Sequence, residues 1–216
     1  MLIHLLEDVA ADTNHRLHAE RIANKIIQEI EKTGTKKLQP QRGKYYLGTP
    51  DALGYDATFD IIIRDKQIGY EAGYNHEDNT LHIFVDLQKS IPNQLILHKS
   101  HIIHEIVHYF DIQRSKGDIS GSSELSDSDY YNNSFETNAF YQEALFKFEK
   151  YFKKLQQVYN KDELSKKINS FDKFFHLLYT KFFPTEFKKY VNETNLKRIK
   201  VRMYQYYDQQ FTKEML

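Results

Sequence analysis

The 216-residue chain contains no cysteine. That absence removes disulfides, thiolate metal sites and cysteine nucleophiles together, so any metal has to be held by histidine and carboxylate side chains. There is no excess of charge either. Thirty basic and thirty acidic residues balance, and no global field argues for a nucleic-acid or membrane partner. No apolar run approaches the length of a membrane span, and the first eight residues lack the basic start of a signal peptide. Cytoplasmic synthesis is therefore expected, and the glycosylation-type sequons at Asn132 and Asn192 carry no meaning in that setting. Tryptophan is also missing. The aromatic content comes from 16 Tyr and 15 Phe within a 40% hydrophobic composition, which is enough for a core and argues against wholesale disorder.

What is present is concentrated in His104-Glu105-Ile106-Val107-His108. On a helix, residues four apart lie on one face, one above the other. His104 and His108 thus offer two imidazoles at the spacing that adjacent corners of a tetrahedral zinc site require. Glu105 falls about 100° round the helix from His104 and about 60° from His108. It stands beside the metal and not on it, where it can take a proton from an activated water. This is the H-E-x-x-H arrangement of zinc-dependent peptidases. Leu95, Ile96, Leu97, Ile102, Ile103, Ile106, Val107 and Phe110 give the helix a buried side. Pro92, followed by Asn93 and Gln94, marks its start, so one helix is expected over 92–114. A rival pairing, His101 with His104 at i,i+3, can also share a metal but leaves no carboxylate in the base position.

Around this motif the pattern alternates between the two secondary-structure periods. Leu17, Ile22, Ile26, Ile27 and Ile30 recur at helical spacing and predict a helix over 12–32. His4, His15 and His18, in or near it, read as solvated or core-edge histidines. Residues 34–57 are turn-rich, and their basic run, Lys36, Lys37, Arg42 and Lys44, reads as a solvated loop. Strand-like runs follow at 58–64, 68–74 and 81–87. Residues 115–134 read as a loop. A strong amphipathic helix then runs from Glu136 to about residue 159, with Phe140, Ala144, Phe148, Phe152 and Leu155 on its buried side. The C-terminal third is helical and aromatic, with Leu196, Ile199, Met203 and Tyr206 or Tyr207 sharing a face. The expected fold is α+β: a small, mainly antiparallel sheet packed on the H-E-x-x-H helix, followed by a helical C-terminal part. Residues 1–160 form the expected core and 161–216 an extension packed on it.

A sheet followed by an H-E-x-x-H helix resembles the zincin peptidases. That resemblance implies Zn2+ as cofactor, a protein or peptide as substrate, and metal-activated water as the attacking species. It also implies that the edge strand nearest the metal pairs with extended substrate backbone, for which 81–87 is the candidate. In the Glu-zincins the third ligand lies on a later helix in a Glu-x-x-Ala context, and Glu136 with Ala139 fits. The run Glu136-Thr137-Asn138-Ala139-Phe140 is also similar to the third-ligand segment of ImmA/IrrE-type peptidases. The chain departs from that family in having Val107 where Gly usually precedes the second histidine, and in showing no helix-turn-helix module. The implied roles are His104, His108 and Glu136 as metal ligands and Glu105 as general base.

Competing readings of the same residues stay open. Asn133-Ser134-Phe135-Glu136 is also a capping-box pattern, in which Glu136 would bond back to the cap backbone. Glu143, two turns on, faces the same way as Glu136 and is the fallback ligand. Asp111, three residues after His108, is an alternative ligand or a carboxylate that orients a ligand imidazole. Tyr130, Tyr131, Tyr141 and His176 are candidates for stabilising an oxyanion, with no basis for choosing among them. Two other functions compete with the peptidase: a catalytically silent zincin-fold scaffold or virion component, and a nucleic-acid binder using Lys197, Arg198, Lys200 and Arg202 on the C-terminal helix.

Overall fold

The computed structural model describes residues 2–33, 43–50, 56–66, 71–115 and 126–212. It is α+β and mostly helical, with one small mixed sheet. Two compact units make up the chain, Ala10–Ser120 on the one hand and Met1–Val9 with Gly121–Leu216 on the other.

The first unit holds most of helix α1 (Leu2–Thr33), strands β1 (Gly43–Pro50), β2 (Asp56–Asp65), β3 (Ala72–Asn75) and β4 (Thr80–Val85), and helices α2 (Ile91–Leu97) and α3 (Lys99–Arg114). The strand order is β1-β2-β4-β3. β1 pairs antiparallel with β2, β2 parallel with β4, and β4 antiparallel with β3. In the parallel pair Ile61 lies opposite Leu81 and Ile63 opposite Ile83. Because side chains alternate across a strand, Phe59, Ile61, Ile63, Leu81, Ile83 and Val85 share one buried face, while Ile62, Arg64, His82 and Phe84 turn to the other.

Three local devices hold this arrangement. The β3–β4 hairpin turns through Asn79, whose φ of 52° suits the short polar side chain of Asn. Asn79 accepts a hydrogen bond from the Tyr74 hydroxyl at 2.7 Å, and its carbonyl accepts one from the Asp60 N–H at 3.0 Å. Gln94 on α2 acts as a surrogate strand residue at the end of β4: its Oε1 accepts from the Asp86 N–H at 2.8 Å and its Nε2 donates to the Asp86 carbonyl at 2.9 Å. The Tyr109 ring on α3 meets the sheet edge-on, 5.3 Å from Phe59 and 5.6 Å from Tyr74. On the other side of α3, Phe110 is stacked by His15 at 5.5 Å and met edge-on by His18 at 5.2 Å. His15 is thus a buried core residue of α1, which sets aside the solvated alternative left open for it.

The structure corrects three expectations. The 92–114 stretch is two helices, because His98 (φ −90°, ψ 10°) leaves helical geometry, ending α2 and capping α3. The sheet is mixed, with two of its three pairings antiparallel, as expected, and β2–β4 parallel. β4, expected as the exposed edge next to the metal motif, lies inside the sheet with both sides paired, so it has no unpaired backbone to offer a peptide. β3 takes that edge position. A strand at 43–50 falls within residues read as turns, since a pairing partner overrides weak local propensity. Much of the expected 115–134 loop, 116–125, lies outside the described residues; 127–132 is helical.

The second unit contains α4 (Asp127–Asn132), α5 (Ser134–Val158), α6 (Lys161–Lys167), α7 (Phe171–Phe182), α8 (Thr185–Tyr190) and α9 (Glu193–Tyr207), ending in a π-helical turn at Asp208–Thr212. Phe140, Ala144 and Phe148 of α5 share one core with Phe174 and Leu178 of α7 and Ile199 and Met203 of α9. The absence of tryptophan is made good by rings in edge and stacked contact, such as Phe148 on Phe174 at 5.2 Å and 90°. Asn132 ties α4 to α8 and α9. Its Nδ2 donates to the Tyr190 carbonyl at 2.8 Å, its Oδ1 accepts from the Asn192 N–H at 2.7 Å, and its carbonyl accepts from Asn195 Nδ2 at 2.9 Å.

Two predictions follow from the first unit. Phe110 is 0% exposed, so Phe110→Ala is expected to destabilise by about 3–5 kcal/mol in urea denaturation. Leu97→Ala, at 74% exposure, should stay within about 0.5 kcal/mol of the parent. Burial, reinforced by the Arg64 guanidinium, holds the His82 imidazole below its ordinary 6.5, with Asp78 opposing. The unfolded chain therefore takes up this proton first, so the contribution to stability is present above pH 6.5 and is lost as the pH falls through the folded value. His82→Gln should flatten the fall in urea midpoint between about pH 7 and 5. An unchanged slope would show that His82 titrates as in an unfolded chain.

Candidate metal centre

Helix α3 is covered on nearly every side. Ser100, Ile102, Ile103, His104, Ile106, Val107, Tyr109, Phe110 and Asp111 are all buried. What remains partly open through the middle of the helix is one stripe, His101, Glu105, His108 and Ile112, which successive i+4, i+3 and i+4 steps keep on a single face. The motif glutamate and the second histidine lie on that stripe, with His104 buried at its border.

The two histidines converge. His104 Nε2 and His108 Nε2 are 3.1 Å apart, with ring planes at 79° and centroids 4.8 Å apart. Two imidazole nitrogens this close need something between them, a shared proton or a shared cation. In a tetrahedral site with Zn–N bonds of about 2.0–2.1 Å, adjacent ligand atoms stand about 3.3 Å apart. The observed spacing matches that closely, so this pair fits a zinc-type ion.

Glu105 is held by a group that the motif does not contain. The Tyr74 backbone N–H of β3 donates to Glu105 Oε2 at 2.8 Å. The edge strand thereby fixes the orientation of the carboxylate. The Tyr74 phenol is itself pushed up by burial, with Tyr109 and the Asp78 carboxylate acting in the same direction. It stays protonated and can donate to Asn79, which keeps the hairpin closed. Asp111, one turn beyond His108, is buried on the same helix.

No family model, curated protein or solved structure matches this chain. The site is therefore read from its own atoms.

The other candidate carboxylates lie in the second unit. Glu136 occupies the first turn of α5, half-buried. The cap of that helix is made by Asn133, whose Oδ1 accepts from the Phe135 N–H at 2.8 Å. The Asn133 N–H, which a capping-box glutamate would have to accept, is donated to the Tyr130 carbonyl at 3.1 Å. The reciprocal half of the capping box thus has another acceptor. Glu143 is buried and paired with Lys147 at 2.6 Å. Of the oxyanion candidates, Tyr141 is buried beneath the Arg202 guanidinium at 4.1 Å, whereas Tyr130 is 37% exposed. Among the described residues no helix is long and apolar enough to cross a membrane.

Sequence reasoning missed Tyr74, because its part is played by a backbone N–H that any residue could supply. A hydrogen-exchange experiment tests the bond. The Tyr74 amide, which points away from β4, should be protected in the parent and lose that protection in Glu105→Ala, while the amides paired between β3 and β4 keep theirs. Equal protection in both proteins would show that Glu105 is not its acceptor.

Proposed function

We propose that this chain is a zinc-dependent metallopeptidase with a zincin-like arrangement, in which His104, His108 and Glu136 hold the ion and Glu105 is the general base. The observation that carries the proposal is the convergence of the two Nε2 atoms at 3.1 Å beside a carboxylate anchored by an edge strand. With no cysteine in the chain, a third ligand has to be another imidazole or a carboxylate. Glu136 is favoured over Glu143, which is paired with Lys147, and over Asp111, which shares a helix with both histidines and would force all three ligands onto one face. Asp111 suits the supporting task of accepting from a ligand imidazole.

Zinc bound here would supply Lewis acidity toward a water and toward the scissile carbonyl. Everything else falls to the chain. Glu105, held at Oε2 by Tyr74, accepts the proton of the attacking water through its other oxygen and passes it to the leaving amine nitrogen. The covered flanks of α3 exclude bulk water from all but the open stripe.

The nucleic-acid reading has less support. Arg202 bonds Asn138 Oδ1 at 2.7 Å and covers Tyr141, Lys200 lies over the Phe175 ring, and Lys197 is near Glu193. The cations of α9 are partly engaged within their own unit.

The test combines metal content with peptide hydrolysis. Glu105→Gln should keep its zinc and lose roughly 100- to 10,000-fold in turnover of a casein or peptide-library substrate. Glu136→Ala should bind one equivalent of zinc fewer than the parent, and Asp111→Ala should match the parent. Full activity in Glu105→Gln would overturn the catalytic role. A zinc content in Glu136→Ala equal to that of the parent would remove Glu136 from the ligand set.

A further inference from the structure

One turn and more upstream of the histidine pair, a second cluster forms from two separate pieces of chain. Glu71 immediately precedes β3. His98 is the joint between α2 and α3. His101 opens the exposed stripe of α3. The joint itself sets the geometry. The His98 N–H ends α2 on the Gln94 carbonyl at 2.8 Å, and its own carbonyl receives the His101 and Ile102 N–H groups that start α3. That bend puts the two rings in parallel, 6.2 Å apart at 27°. One carboxylate then spans both: Glu71 Oε1 is 3.5 Å from His98 Nδ1, and Oε2 contacts His101 Nδ1. One ligand-capable atom from each residue falls within a 4.8 Å group.

We infer that Glu71, His98 and His101 form a second binding site for a zinc-class divalent cation, one that clamps the start of the edge strand to the start of α3. Two imidazoles and a carboxylate are a donor set for zinc, with a fourth position left to water. Side-chain exposures of 36%, 15% and 39% give the groups room to rotate from their present spacing toward the roughly 3.3 Å that tetrahedral coordination requires. The backbone on either side of Glu71 explains what the clamp would do. The Glu71 carbonyl accepts from the Phe84 N–H at 3.0 Å, and three residues later Tyr74 holds Glu105. A cation here fastens the strand that orients the glutamate without touching the His104–His108 pair. The inference does not rest on the peptidase reading.

The experiment titrates the full chain with Zn2+ alone, after chelation and dialysis, and follows heat and bound metal. His104→Ala/His108→Ala is expected to retain one equivalent, and Glu71→Gln added to that background should remove it. The loss of affinity should exceed the roughly 10- to 100-fold that losing a supporting hydrogen bond costs a metal site. His101→Ala, a half-exposed helical position taking a good helix former, repeats the test where folding is not at issue. Zn2+ added to the His104→Ala/His108→Ala protein should also slow amide exchange in β3. The inference is overturned if that protein binds no zinc, or if its zinc survives both Glu71→Gln and His101→Ala. A parent that binds one equivalent, lost in Glu71→Gln but kept in His104→Ala/His108→Ala, would uphold this site while sinking the first.

Discussion

The hydrogen bond from the Tyr74 N–H to Glu105 joins the sheet to the helix that carries the H-E-x-x-H motif, and much of the first unit serves to hold its two ends in place. At one end the β3–β4 hairpin is closed by Asn79 in a left-handed turn and by the Tyr74 hydroxyl. At the other, α3 is wedged between the sheet and α1 by two adjacent rings, Tyr109 facing Phe59 and Tyr74, and Phe110 facing His15 and His18. A charged acceptor makes this bond stronger than an ordinary backbone pair. It also uses an edge-strand N–H that would otherwise offer itself to a foreign strand, on an edge only four residues long.

Burial of α3 gives that bond its chemical consequence. With its flanks covered, the helix presents polar atoms through its middle along one stripe, and a partly desolvated stripe strengthens every ion–dipole and ion–ion interaction within it. Isolated imidazoles and carboxylates gain little from such a place, because each loses hydration. Sharing a cation or a counter-charge offsets that loss: His104 and His108 have the spacing for a shared cation, and His98 and His101 share the Glu71 carboxylate. The two clusters divide between them the exposed side of α3 and the start of β3, the two elements that meet at Glu105.

The second unit solves its folding problem differently. It has few β-branched residues and no tryptophan, and it builds its core from phenylalanine and tyrosine rings on α5, α7 and α9. Ring-to-ring contacts make up for the small number of aliphatic side chains. Asn132 supplies the polar fastening by bonding backbone at two later points in the chain. The basic side chains of α9 lie over rings or near acids, which lowers the field they could present to an anionic partner.

Local periodicity carried most of the helices and the H-E-x-x-H geometry, since residues four apart on any helix must align. It also supplied Pro92 in the first turn of α2 and the buried face of α9, both consequences of side-chain type and spacing within a single element. Pairing between elements was out of its reach. Alternation marked 81–87 as a strand but could not say that two neighbours flank it, because an interior and an edge strand with one covered face carry the same pattern. The break at His98 was hidden by continuous apolar spacing across two helices. Tyr74 left no trace in the motif, because its contribution is a backbone N–H whose direction is set by the β3–β4 register. Glu71 likewise met His98 and His101 only once the hairpin and the bent helix pair had formed. The residue types and their spacing were therefore in the sequence, and which groups face one another across the open stripe of α3 was decided by the sheet order and the helix break, which depend on contacts between distant segments.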